Sequence, residues 1–208
     1  PGASQTVVTQ PSRNGHLTMG YPRLSPFGPK AMATVRQIYA DLARSASFDG
    51  LLFHDDLTLS DYEDASPLAL RQYRAWGLPT DLGVIRGDDT LLGLWTNRKT
   101  ETLEQLSLDL AATVRREQPQ LRTARNLYAQ VVLNPHAEAW YGQSLDLALR
   151  DYDFTALMAM PYMERAGNPQ SFLAQLVNQV NQQPHGLERT LFEIQSTDWN
   201  SHRDLSSA

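Results

Sequence analysis

The residues best suited to chemistry in this 208-residue chain stand together as His54-Asp55-Asp56. They follow Leu51-Leu52-Phe53 directly, a short apolar run bounded by turn residues. Adjacent carboxyls resist joint ionisation, and a carboxyl that keeps its proton is what a general acid needs to protonate a leaving oxygen. The plainer reading of the same residues is that one Asp caps the next turn and His54 packs. A His with two Asp is also a ligand set for a divalent ion. Metal sites of this kind need two histidines four residues apart, and the histidines at 16, 54, 136, 185 and 202 offer no such pair. No metal is therefore expected. No G-x-S-x-G elbow serves a serine nucleophile, and no Walker loop or strand-following G-x-G-x-x-G cradles a nucleotide, so no cofactor is expected. Zero cysteines exclude a thiolate zinc site, a Cys nucleophile and a disulfide scaffold.

Other apolar runs end in comparable residues. Arg125-Asn126 follows the run from Leu121, Pro161-Tyr162-Met163-Glu164 follows Phe154–Met160, and Asp198-Trp199 follows Arg189–Gln195. Glu164 reads slightly better as a substrate ligand than as half of a rim salt bridge. Arg122 shares a strand face with Asn126 and Arg125 does not, which leaves the choice between the arginines open. Tyr21, Tyr128, Trp140, Tyr141, Tyr162 and Trp199 fall in or near loops on the same side. Flat amphipathic rings there match the C–H faces and hydroxyls of sugars, although half of such aromatics are ordinary peripheral core. Trp76 and Trp95 sit on helical stripes and are assigned to packing.

Elements that could hold these residues alternate along the chain. Pro29 opens an amphipathic helix over 29–46, its stripe being Val35, Ile38, Tyr39, Leu42 and Ala46. A strand at 51–53, expected to be buried on both faces, leads into an acidic loop over 57–65. Ser66-Pro67 caps a helix to Trp76, and a long helix spans 89–117 with Leu92, Trp95, Leu103, Leu106, Leu110 and Val114 inside. Then come a strand at 121–126, a helix over 134–150, a strand at 154–160, a helix over 168–183 and a strand at 189–195. Alternation of buried strands with helices predicts an α/β fold with a parallel sheet, whose active site lies at the carboxyl ends of the strands. Four strands are half the complement of a TIM-type (β/α) barrel, so the expectation is the C-terminal part of one over 21–208, with 1–20 a loop or linker remnant. Charge balance is 18 basic against 23 acidic residues, a net −5, which argues against a nucleic-acid partner. No signal peptide is legible in 1–20.

The motifs YPRLSPF (21–27), GLLFHDDLTLSDYEDASP (50–67), RTARNLY (122–128), AMPYMER (159–165) and FEIQSTDW (192–199) together resemble one family. It is the C-terminal domain of the poly-β-1,6-N-acetylglucosamine N-deacetylases of Gram-negative biofilm export systems, the PgaB family. The resemblance implies a barrel that binds partly de-N-acetylated polymer in a cleft and cuts it as an endo-acting glycoside hydrolase. It implies Asp55 and Asp56 as the catalytic pair, and Tyr21, Trp140 or Tyr141, Glu164 and Trp199 in the cleft. His54, Arg125, Tyr162 and Asp198 are added as substrate-binding candidates from their strand-end positions. The resemblance further implies a periplasmic, outer-membrane-associated protein with an export porin as partner. Such a protein also carries an N-terminal deacetylase domain and the first barrel strands, which this chain lacks. The alternative from a different class is a binding and export module that holds the polymer without cutting it.

Overall fold

A computed structural model describes residues 5–9, 22–199 and 201–205. In chain order the elements are α1 (Pro29–Ser45), β1 (Gly50–Phe53), α2 (Pro67–Ala75), α3 (Leu82–Arg86), α4 (Asp89–Arg115), β2 (Arg122–Tyr128), α5 (Gln130–Leu133), α6 (Ala137–Tyr141), α7 (Leu145–Asp151), β3 (Phe154–Ala159), α8 (Pro169–Asn181), β4 (Thr190–Ile194), β5 (Thr197–Asp198) and β6 (Arg203–Asp204). They form two compact units. One is drawn from the described residues of Pro1–Asp49, Leu57–Leu121 and Glu138–Gln143, the other from those of Gly50–Asp56, Arg122–Ala137 and Ser144–Ala208.

The second unit is built on one sheet of four parallel strands in the order β1-β2-β3-β4. The chain reads as α/β for the reason the sequence implies: apolar runs alternate with helices, and parallel pairing needs a crossover between strands. Register sets Phe53 beside Arg125, Arg125 beside Thr155, and Thr155 beside Thr190. Side chains alternate between faces, so Leu52, Asn126, Ala156, Leu191 and Glu193 share one face and Phe53, Arg125, Leu157 and Phe192 the other. The central strands are buried. The outer two are not buried on both faces as the apolar run 51–53 predicts: Leu52 is 49% exposed, Leu191 58% and Ile194 73%. Both are edge strands, so each has a neighbour on one side only. A small antiparallel ribbon, β5 with β6, follows β4.

The first unit is helical. Pro29 stands at the start of α1, and Ser66 Oγ caps α2 by accepting from Ala69 N. The buried stripe of α1 is turned from the predicted one: Ala31, Met32 and Ala43 are inside while Ile38 and Leu42 are exposed. Helix α4 keeps its predicted stripe, and Trp95 is fully buried against Tyr73, edge to face at 5.6 Å. Helix α3 is an additional short turn capped by Asp81. Instead of one helix over 134–150 there are two, α6 and α7. They part at Gly142, whose φ of +61° favours glycine and where a Cβ would lie 3.0 Å from Leu103 Cδ1.

Candidate active site

Residues His54-Asp55-Asp56 leave β1 at its carboxyl end, and the turn they form gives the two carboxyls unlike surroundings. Asp55 is 8% exposed at its side chain and Asp56 60%. His54 Nδ1 lies 2.6 Å from Asp55 Oδ1 and 3.5 Å from Asp56 Oδ2, while its ring is 66% exposed. A buried Asp, an exposed Asp and an exposed imidazole in contact are side-chain types that acid–base chemistry can use. The three groups also bring ligand atoms within 4.8 Å of one another, and they are the residues that could hold a cation here. The geometry favours a hydrogen bond: donors on a common zinc-like ion at about 2.1 Å stand about 3 Å or more apart, further than Nδ1 is from Oδ1.

Arg125 explains why the turn is held. It is 2% exposed, and its Nη1 donates to His54 O at 2.6 Å, Asn126 O at 3.2 Å and Phe53 O at 3.3 Å. The guanidinium thus ties the end of β1 to β2 through backbone carbonyls of both strands. Arg122 lies at the opposite end of β2, exposed and 5.7 Å from the Phe154 ring centroid. Continuing the register past Phe53 and Arg125 sets Asn126 level with His54 on the same sheet face.

The loops after β3 and β4 are tied together. Gln195, buried at the end of β4, accepts from Met163 N at 3.1 Å and donates to Thr197 O at 2.7 Å. This fixes Pro161-Tyr162-Met163-Glu164 with Tyr162 41% exposed. Glu164 Oε2 accepts from Gln130 Nε2 at 2.8 Å. Trp199 is 53% exposed, and Asp198 accepts from Ser201 Oγ at 2.6 Å within the ribbon turn. One residue escaped the sequence reading: Glu193 on β4, half-buried, with Oε2 accepting from Asn126 Nδ2 at 2.8 Å. Its sequence signal was a lone acid within an otherwise apolar strand.

Other candidates belong to the first unit or fall outside the described residues. Trp140, 43% exposed, and Tyr141 end α6 in the first unit, and Tyr21 falls outside the described residues. The acidic loop 57–65 is internal to the first unit. Asp64 is fully buried and accepts from Val8 N, Ser25 Oγ, Ser66 N and Ser66 Oγ. Glu63 pairs with Arg23 at 2.6 Å and accepts from Thr9 Oγ1. Burial pushes its carboxyl up, but these hydrogen bonds prevail and hold it below the usual range. Lys99, fully buried, donates to the carbonyls of Ser60 at 2.5 Å, Glu63 at 3.0 Å and Leu59 at 3.4 Å, over the Trp95 ring at 3.6 Å. Loss of hydration brings its pKa down to about 7, against the pull of Asp61, Glu63 and Asp64.

Comparison with known proteins gives the family of the chain. Residues 2–208 match the family described as hypothetical glycosyl hydrolase family 13, GHL13. The chain belongs to the GHL13 family. Its structure is similar to that of the glycoside hydrolase domain of PgaB (BpsB) from Bordetella bronchiseptica. The TM-score is 0.89 at 47% identity, over 97% of this chain and 58% of that one. That neighbour has a TIM-barrel-type fold, so the four-stranded sheet is part of such a barrel. The poly-β-1,6-N-acetyl-D-glucosamine N-deacetylases of Escherichia coli strains K12 and O157:H7 are each 40% identical to it over 193 residues, 90% of this chain. The GHL13 chain spans only 29% of the length of those relatives. No helix among its described residues is long and apolar enough to cross a membrane.

Proposed function

We propose that this domain is an endo-acting glycoside hydrolase for partly de-N-acetylated poly-β-1,6-N-acetylglucosamine, with Asp55 as general acid/base. The observation that carries the reading is the pairing of a buried Asp55 with an exposed His54 and Asp56 at a strand's carboxyl end, in a chain of a glycosyl hydrolase family. Asp55 gives its proton to the glycosidic oxygen as the bond breaks, then takes one from the attacking water. That proton restores the acid form of Asp55, and His54, in contact with Asp55 and open to solvent, keeps it in equilibrium with water between turnovers. Asp56 orients the 2-acetamido group or stabilises the positive charge developing on the sugar. Attack comes either from a carboxylate such as Glu164 or from the substrate's own acetamido oxygen, a recognised exception to the two-carboxylate scheme. Exposed Tyr162 and Trp199 offer ring faces to the sugars.

The polymer is inferred from the names of the relatives, poly-β-1,6-N-acetyl-D-glucosamine N-deacetylases. Periplasmic placement at the outer membrane, a porin partner and a deacetylase domain in the full protein belong to the same proposal. So does completion of the barrel by further chain over the exposed edge residues Leu52, Leu191 and Ile194. Incubating the protein with de-N-acetylated polymer tests the reading: oligosaccharide fragments are expected. Binding without fragments would favour the export module, which the solvent-facing Trp199 and Tyr162 serve equally well.

A further inference from the structure

The half-buried Glu193 has a feature in common with Glu164. Each carboxylate is held through one oxygen, at 2.8 Å, by a neutral side-chain amide: Asn126 for Glu193 and Gln130 for Glu164. The two amides lie four residues apart, on β2 and just beyond it. A neutral donor fixes a carboxylate without cancelling its charge, whereas an arginine or lysine would pair it off. Among the described residues no cation stands within ion-pair distance of Glu193, and only its Oε2 is engaged.

Asn126 itself is built for this task. It is 3% exposed, its amide nitrogen is aimed at Glu193, and among the described residues its Oδ1 accepts no hydrogen bond. A buried amide that leaves an acceptor unsatisfied costs stability, and the bond to Glu193 offsets part of that cost. The bond passes from β2 to β4 across β3, where Ala156 lies on the same face with too small a side chain to block it. The result is a fixed negative group, one oxygen open, on the sheet face shared by Leu52, Asn126 and Ala156.

We propose that Glu193, oriented by Asn126, recognises the ammonium of a de-N-acetylated sugar and so sets a preference for amino over acetamido units. This rests on the hydrolase reading above and adds the residue that tells the two sugars apart. An ionised carboxylate is an acceptor only and takes a charge-assisted hydrogen bond from an ammonium; an acetamido group offers one neutral N–H and a bulky acetyl in its place. Glu193→Gln keeps the shape, and its amide oxygen still accepts from Asn126.

The test is calorimetric titration of wild type and Glu193→Gln with two β-1,6-linked oligomers of equal length, one of glucosamine and one fully acetylated. Affinity for the glucosamine oligomer is expected to fall on the order of 10-fold more than affinity for the acetylated one, a loss of one charge-assisted bond. Glu193→Ala should show the same selective loss, and thermal melts confirm that both variants fold. Equal losses on the two oligomers, or none, would overturn the assignment while leaving the hydrolase reading intact. Wild type that binds neither oligomer would overturn both.

Discussion

His54 joins a buried carboxyl to water, with Nδ1 2.6 Å from Asp55 Oδ1 and most of the ring in solvent. His54→Ala should therefore lower cleavage about 100-fold at neutral pH, the smaller end of what positioned proton transfer contributes, and added imidazole should restore part of it. A rate unmoved by the substitution would remove His54 from the proton path. Asp56→Asn should also slow cleavage, most of all where the sugar at the scissile bond is acetylated, because only that sugar offers an acetamido group to orient. Chelation by EDTA should leave cleavage unchanged, since the 2.6 Å approach of His54 to Asp55 suits a hydrogen bond. Loss of activity on chelation, regained with a divalent ion, would make the three residues ligands instead. At this scale the sequence reveals the Asp pair well, because an apolar run stops abruptly at three ionisable residues. It conceals Glu193, whose partner Asn126 is 67 positions away. An isolated acid in a short strand reads as solvent-facing until the pairing of strands is known.

Elements separate the aromatic residues into two kinds. Trp95 is fully buried in α4 against Tyr73 and the Lys99 ammonium, so Trp95→Ala should cost ~3–5 kcal/mol of stability in denaturant melts. Trp199→Ala, at a 53%-exposed ribbon residue, should leave the melt nearly unchanged and weaken polymer binding. The reverse pattern would show the two assignments exchanged. Lys99 gives this unit a pH dependence. Its pKa is about 7 in the fold against 10.5 in an unperturbed lysine, so between those values the unfolded chain binds more protons than the folded one. Stability contributed by this group therefore rises as pH climbs from 7 towards 10.5, and is constant below 7 where both states hold the proton. Lys99→Met should abolish that rise, and it should destabilise the unit at pH 6, where the carbonyls of Leu59, Ser60 and Glu63 lose their donor. Helix α4 was legible because its stripe is long and regular. The acidic loop over 57–65, which precedes α2, is less legible: Glu63 and Asp64 read as open charges, and only the fold brings Arg23, Ser25 and Lys99 to neutralise or bond the loop. The predicted helix over 134–150 fails at a single backbone angle, that of Gly142.

Over the whole molecule the excess of acidic groups, net −5, favours a polymer that carries ammonium groups over a fully acetylated one. That preference should weaken as salt rises through the range where the Debye length falls from ~30 to ~8 Å. Equal affinity for both polymers at every ionic strength would contradict it. In TIM-type barrels active sites lie at the carboxyl ends of the strands, and the proposal that matters most is that Asp55 carries the proton. The direct test is product analysis by mass spectrometry after wild type and Asp55→Asn are incubated with de-N-acetylated polymer. Wild type should release oligosaccharides, while Asp55→Asn should retain polymer binding and release them ~10²–10⁴-fold more slowly. Cleavage by Asp55→Asn at the wild-type rate would contradict the account.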